Sequence, residues 1–518
     1  MKFKLLNPTV IRTAGVTAIA FVMTVTGARA QYKIDADAEL IFNAGSGQLA
    51  PYYMSALNHG ILSQSKGGLL KAGVFRQMDE SKRFSYSFGA QFVTGMTSKA
   101  DYDRYNVENG WSLNPQKPAA IWLQQLYGDI KYRSLFLSAG VKERGSLLVD
   151  NSLSTGDVIE SGNARPIAQV RAGFIDYQNI PFTNGWLQIT GQIAYGKFFQ
   201  DNYIKDHFNY SWGNFNLGTL YHYKRCYFRT KPDAPFSATF GGQFACLFGG
   251  DTYTYYLGKE SRYTSNRKNL KAFWQALIPL NNGIEGWYEG QHLGSWDIRF
   301  RYRIRSGAEF SAYVQNLWED GSGMGKLNGW DGLWGFEYKA AQKGYVSAVV
   351  IEYLDFTNQS GPTNYNDHDY PGTNLTGYDI TGCDNYYNNG YYNSYTNYGF
   401  AIGNPFSKEP IYNLDGSLTF NNNRVRGFHA AVKGNIIDNL DYRVMGGYRV
   451  SYGTYSSPAL TPRRDTSFMA EAIYSVECVK GLKIKGQFAL DHGELFGNTT
   501  AGCITVAYHG NLSLNFKK

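Results

Sequence analysis

Residues 382–399 read GCDNYYNNGYYNSYTNYG, with six tyrosines and five asparagines in eighteen positions and no Lys, Arg or Glu. Tyrosine offers a broad aromatic face at small entropic cost, and asparagine offers a paired donor and acceptor. Sugars present weakly positive C–H faces beside hydroxyl edges, so rings suit the first and amides the second. Asp384, Asn385, Tyr386, Tyr387, Asn388, Tyr391, Tyr392, Tyr395 and Tyr398 are therefore the candidate polysaccharide-binding residues. The same composition also marks a hydrated polar tract whose rings pack on neighbouring loops, and both readings stand. The acids Asp367, Asp369, Asp379 and Asp384 match no calcium-loop spacing. Solvated carboxylates are favoured over a metal site, and no cofactor is expected.

A second row has a regular period. In WDIRFRYRIRSG (296–307), Arg299, Arg301, Arg303 and Arg305 alternate with Ile298, Phe300, Tyr302 and Ile304. Successive side chains of a strand point to opposite faces, so the four arginines form a basic ladder. Facing a lumen, such a ladder could draw in an acidic glycan. The structural alternative is pairing with carboxylates of adjacent strands, such as Glu285, Glu289 or Glu309, and it is favoured because crowded buried charge needs partners. Catalysis finds little support. There is no H-E-x-x-H, no G-x-S-x-G, and GSGMG at 321–325 lacks the lysine of a phosphate loop. Carboxylates are numerous, but nothing in their spacing sets two of them at a glycosidase separation. The expectation is a protein that is not an enzyme.

The elements that must carry these residues are strands. ITVAYHGNLSLNF (504–516) alternates over thirteen residues, long enough to cross a bilayer at a tilt. LDYRVMGGYRVSY (440–452), LKIKGQFALD (482–491) and FSATFGGQFACLF (236–248) alternate in the same way. The first thirty residues read as a secretory signal, with an apolar stretch ending at Ala28-Arg29-Ala30 and cleavage after Ala30. Long alternating strands behind an export signal predict an all-β fold, a transmembrane antiparallel β-barrel of the outer membrane. Lipid accepts strands only where every edge is paired, hence the closure. About 27 residues per strand with its connections gives about eighteen strands. Ile437-Asp438-Asn439 and Val479-Lys480-Gly481 read as periplasmic turns.

The predicted division is a signal peptide over 1–30, a weakly alternating periplasmic or plug segment over 31–66, and the barrel over 67–518. A long Tyr/Asn-rich external loop is expected near 357–420. The formal charge of +8 falls by four with the leader's Lys2, Lys4, Arg12 and Arg29, too little to suggest nucleic acid. Five scattered cysteines show no metal-ligand spacing and read mostly as small apolar fillers, with Cys383 the one plausible reactive thiol.

Several short elements run in order through most of the chain: APYYMSALNHG (50–60), LYGDIKYRSLFLSAG (126–140), STGDVIESGNARPI (154–167), GQHLGSWD (290–297), WEDGSGMG (318–325), IEYLDFTNQSGP (351–362), DNYYNNGYY (384–392), IGNPF (402–406) and NNNRV (421–425). Each is weak alone. Together they resemble the Wzi-type capsule-assembly proteins of the outer membrane. One departure is Ala168, where a proline usually follows the NARPI-like element. The resemblance implies a closed barrel of about eighteen strands whose role is to bind capsular or exopolysaccharide and attach it to the cell surface, without a catalytic residue. Its partners would be that polysaccharide and outer-membrane lipid. The alternative, drawn from the charged inner face, is a channel or porin passing small or anionic solutes.

Overall fold

In the computed structural model the described residues are 32–279, 290–361 and 383–514. The signal segment, its cleavage site after Ala30, and Phe516 lie outside them, as do Glu285, Glu289, Asp367, Asp369 and Asp379. Eighteen antiparallel strands pair with their neighbours in chain order, and the sheet closes on itself. The closing seam joins Tyr32–Gly45 to Thr499–Leu514, with Ala38 opposite Tyr508. A two-residue piece, Gln178–Asn179, adds to the strand Leu187–Lys197 at its inner end.

This seam corrects one expectation. The stretch 31–66 is not a separate segment ahead of the barrel, because Tyr32–Gly45 is its first strand. Its apolar face, Ile34, Ala36, Ala38, Leu40 and Phe42, is diluted by alanines, and acids occupy the other face. Alternation is therefore present but weak. Only the part from Ser46 to Lys66 leaves the wall.

Alternation along the wall places apolar side chains outside. Trp296, Ile298, Phe300 and Tyr302 are each between 41% and 52% exposed, while Ser295 and Asp297 on the alternate face are buried in the lumen. The same outward pattern holds for Phe236 and Phe240, Phe336, Ile351, Phe428, Phe468 and Ile504. A soluble protein does not display a continuous belt of this kind, whereas a lipid-facing wall requires it. Short turns such as 438–439 and 133–134 lie at the end that carries both termini, and the connections longer than twelve residues lie at the other. By that asymmetry the long loops are external. Of the cysteines, Cys246 and Cys503 are buried, but Cys226 and Cys478 are exposed, so filling space does not account for those two.

Candidate functional site

The described parts of three external loops do not stand in solvent; they fold back into the lumen and fill it. The first, 46–66, carries a single helical turn, Tyr52–Ser55, with all four side chains buried. Its Tyr52 amide donates to Asp491 at 2.7 Å, and Tyr53 Oη lies 2.6 Å from His429 Nδ1. The second, 142–167, contains the STGDVIESGNARPI element. Its Asp157 carboxylate accepts from Gln243 (2.9 Å) and Gln315 (2.9 Å), two amides of the inner wall. In the reverse sense, Glu352 of the wall accepts from Ser154 Oγ (2.5 Å), the Thr155 amide (2.7 Å) and Tyr313 Oη (2.5 Å). Glu160 pairs with the buried Arg171 at 2.5 Å. Each buried charge thus meets several donors or an opposite charge, which is what makes its burial tolerable.

The third loop, described over 356–361 and 383–424, contains the tyrosine run. Tyr386, Tyr387 and Tyr395 are each 0% exposed, and Tyr392 and Asp384 are 5% exposed. Tyr387 Oη donates to the Val158 carbonyl at 2.7 Å, and Tyr395 Oη to that of Ile159 at 3.0 Å. Gly403 runs so close to the second loop that a Cβ there would lie 2.4 Å from the Val158 carbonyl oxygen. Asn388 is bonded to the Phe420 amide and carbonyl. The expectation of nine surface residues offered to glycan is therefore corrected. Tyr386, Tyr387, Tyr392, Tyr395 and Asp384 are interior; Asn385, Asn388 and Tyr398 are half-buried; Tyr391 alone of the nine is exposed, at 49%. The physical reason is that a phenol needs one hydrogen bond and then buries a large apolar ring, and backbone carbonyls of the neighbouring loop supply that bond.

Acids gather where this loop meets 319–331. Glu319 accepts from the Tyr387 amide at 2.7 Å, and Asp384 accepts from Ser360 Oγ at 2.6 Å. Burial pushes the Glu319 carboxyl up to about 8, against the pull of the Tyr387 and Asn385 amides. Asp384 is raised as well, by burial and then by the nearby Asp320 and Glu319. In the plug's interior burial likewise lifts Glu409 to about 8, although Asn163 and the Ala401 amide donate to it. Among the described residues no group of three His, Cys, Asp or Glu side chains is arranged to hold a metal ion.

Above the plug sits an outer layer. A hairpin, Ala100–Asn106 with Gly110–Gln116, lies beside a three-stranded sheet of Trp212–Leu217, Asp251–Tyr256 and Lys259–Ser265. The tyrosine run is the floor of this sheet: Asn393 exchanges two hydrogen bonds with Asn216, at 2.8 and 2.9 Å, and Thr252 Oγ1 donates to the Tyr391 carbonyl. Trp111, Trp212, Tyr256 and Tyr263 are exposed on this layer, and Asn214, two residues from Trp212, donates to the Gly390 carbonyl beside Tyr391 at 2.8 Å.

The arginine row keeps its face but not its full length. The strand is Gln291–Arg303, so Arg305 falls in the turn beyond it. Arg299 pairs with Glu337 at 3.1 Å, Arg301 with Glu309 at 3.3 Å, and Arg303 with Glu309 at 2.7 Å. Glu337 sits two strands away and escapes a reading confined to adjacent strands. Sequence reasoning also missed Asp157 and Glu352. Glu352 left a signal, a carboxylate in the middle of the apolar strand Ala348–Asp355, since a charge is kept in such a place only for specific partners.

No family model matches the chain, and no curated protein sequence matches it. Among solved structures it is similar to Wzi, an outer membrane protein involved in group 1 capsule assembly in Escherichia coli and described as a carbohydrate-binding β-barrel. The identity is 11%, over 98% of this chain and 89% of that one, with a TM-score of 0.51. It also aligns with OccAB2 of Acinetobacter baumannii (8% identity, 93% of this chain and 98% of that one, TM-score 0.46). A third alignment is with the outer membrane protein opdK of Pseudomonas aeruginosa (10%, 93% and 99%, TM-score 0.44). At these identities the likeness is one of fold, and the fold is a closed antiparallel barrel of eighteen strands of the outer-membrane type.

Proposed function

We propose that this protein binds capsular or exopolysaccharide at its external face and attaches it to the cell surface, a lectin-like and non-enzymatic part in capsule assembly. The observation that carries the reading is the contrast at the outer end. The lumen is filled by 46–66, 142–167 and 383–424, while a layer of exposed rings stands above that filling. Rings on a rigid floor present stacking faces to sugar C–H groups at little ordering cost. The Wzi likeness, in a barrel described as carbohydrate binding, agrees with this assignment without establishing it. Of the tyrosine run, Tyr391 keeps a direct role in sugar contact; the buried members act by holding the outer sheet in place.

The rival reading, a channel for small or anionic solutes, draws on the arginines of Gln291–Arg303. Three of them are already paired with carboxylates, and any passage needs the plug to leave. The test compares cell-bound with released polysaccharide in wild-type cells, in a deletion strain, and in cells carrying Trp212→Ala with Tyr391→Ala. Shedding by both altered strains supports the proposal. Retention unchanged by the deletion overturns it, and steady single-channel conductance of the pure protein then moves the channel to first place. Turnover of polysaccharide by the pure protein would instead make it an enzyme.

A further inference from the structure

On one sector of the barrel the outward face is not bare. Phe236 and Phe240 of the strand Phe236–Phe248 are exposed to lipid, but Phe244, Cys246 and Phe248 on the same face are buried. They are covered by the eight-residue helix Leu270–Leu277, which lays Ala272 and Ala276 against them. Asn269 caps the helix by accepting from the Ala272 amide, and two wall residues hold it from outside. Tyr195 Oη donates to the Phe273 carbonyl at 2.9 Å, and Lys224 Nζ donates to that of Leu277. The helix therefore lies on the outer surface of the wall, near the external ends of its strands, and not in the lumen.

Its other side is also apolar. Leu270, Trp274 and Ile278 recur at a spacing of four, one turn apart, and are 88%, 55% and 40% exposed. They continue a ring of aromatic side chains at the same end of the wall. The buried Phe244 lies 5.9 Å from the equally buried Trp318, which lies 5.8 Å from the exposed Trp296, and the exposed Trp330 stands 5.5 Å from Trp334. Indoles at this level mark the boundary between hydrocarbon and head groups. Arg267, Lys268 and Lys271 stand exposed at the start of the helix, and Lys268 is engaged by Asp251 at 2.9 Å. A helix with an exposed apolar face and a base beside it suits the plane of an anionic membrane surface.

We propose that Leu270–Leu277 is a lipid dock, in which Leu270, Trp274 and Ile278 enter the outer-leaflet boundary while Lys271 receives a phosphate of a phosphorylated lipid. The occupant is lipid because the apolar face is continuous with the lipid-facing belt of the barrel, and phosphorylated because the exposed Lys271 stands beside that face. The dock would fix the height of the outer layer above the membrane. It is independent of the polysaccharide reading.

The test is amide exchange of residues 270–278 in the whole protein, in detergent, in phosphatidylcholine vesicles, and in phosphatidylcholine vesicles containing lipid A. Wild type is expected to exchange about tenfold more slowly with lipid A than without it. Lys271→Glu should erase that increment, and Trp274→Ser should speed exchange in both bilayers. Three results overturn the proposal: equal exchange in detergent and both bilayers, an increment that survives Lys271→Glu, or protection that arises only on adding the cell's polysaccharide or on crowding the protein in the bilayer. Those last two would give the face to glycan or to a second copy of the chain.

Discussion

The strand Gln291–Arg303 and the run 384–398 are both rows of polar side chains that end in the lumen, yet they are polar for different reasons. In the strand, the period of two places Arg299 and Arg301 inward whatever lies opposite, because lipid on the other side selects Ile298 and Phe300. The partners, Glu309 and Glu337, then settle the charge. In the run no period exists. Tyr387 and Tyr395 are interior only because the carbonyls of Val158 and Ile159 arrive to accept from them. Wall residues are placed by solvent, and plug residues are placed by one another. The wall should therefore tolerate the loss of a partner, and the plug should not.

Removing Glu352, the wall group most committed to the plug, should have the largest effect. Glu352→Ala orphans three donors, Ser154, Thr155 and Tyr313, at a cost of about 1–3 kcal/mol for each one left buried without a partner. New protease cleavage within 142–167, with the barrel still resistant to denaturant, is the expected outcome. Loss of the whole barrel in one transition would erase the distinction between wall and plug. Next comes pH. Glu319 is held protonated by burial, and its folded value of about 8 lies above its ordinary 4.5. Its contribution to stability is full at acid pH and is lost as pH rises through about 8. Amide exchange over 384–395 should accelerate across that window, and Glu319→Gln should flatten the curve.

Gly403→Ala brings a methyl against the Val158 carbonyl and Tyr387 Oη and should destabilise the plug by about 1–3 kcal/mol. Tyrosine fluorescence during thermal melting would report an early transition absent from wild type. Arg303→Gln should matter least. The pair with Glu309 is half-exposed, so a change below about 1 kcal/mol is expected, shrinking further at high salt. A larger change would mean that the lower wall, too, depends on its partners.

Most of the barrel is legible in the residue pattern. The strands Leu440–Gly453, Leu482–Gly493 and Phe236–Phe248 begin and end within two residues of their alternating stretches. The first strand escapes detection because Ala36 and Ala38 make a faint apolar face. Its pairing with Thr499–Leu514 is a contact between the two ends of the chain, which no local pattern reports. The candidate site is legible in composition but not in place. Asparagine and tyrosine announce hydrogen bonding to something, and nothing in 384–398 says whether the partner is a sugar or the segment 154–163.

The wall thus follows from local sequence alone, since a side chain's face in a strand is set by its neighbours at one and two positions and by the lipid outside. The fate of the polar loops is settled only by contacts between distant parts of the chain. A phenol or amide with its bond satisfied is as stable inside as out, so burial depends on whether acceptors hundreds of positions away are brought alongside, as Val158 is for Tyr387.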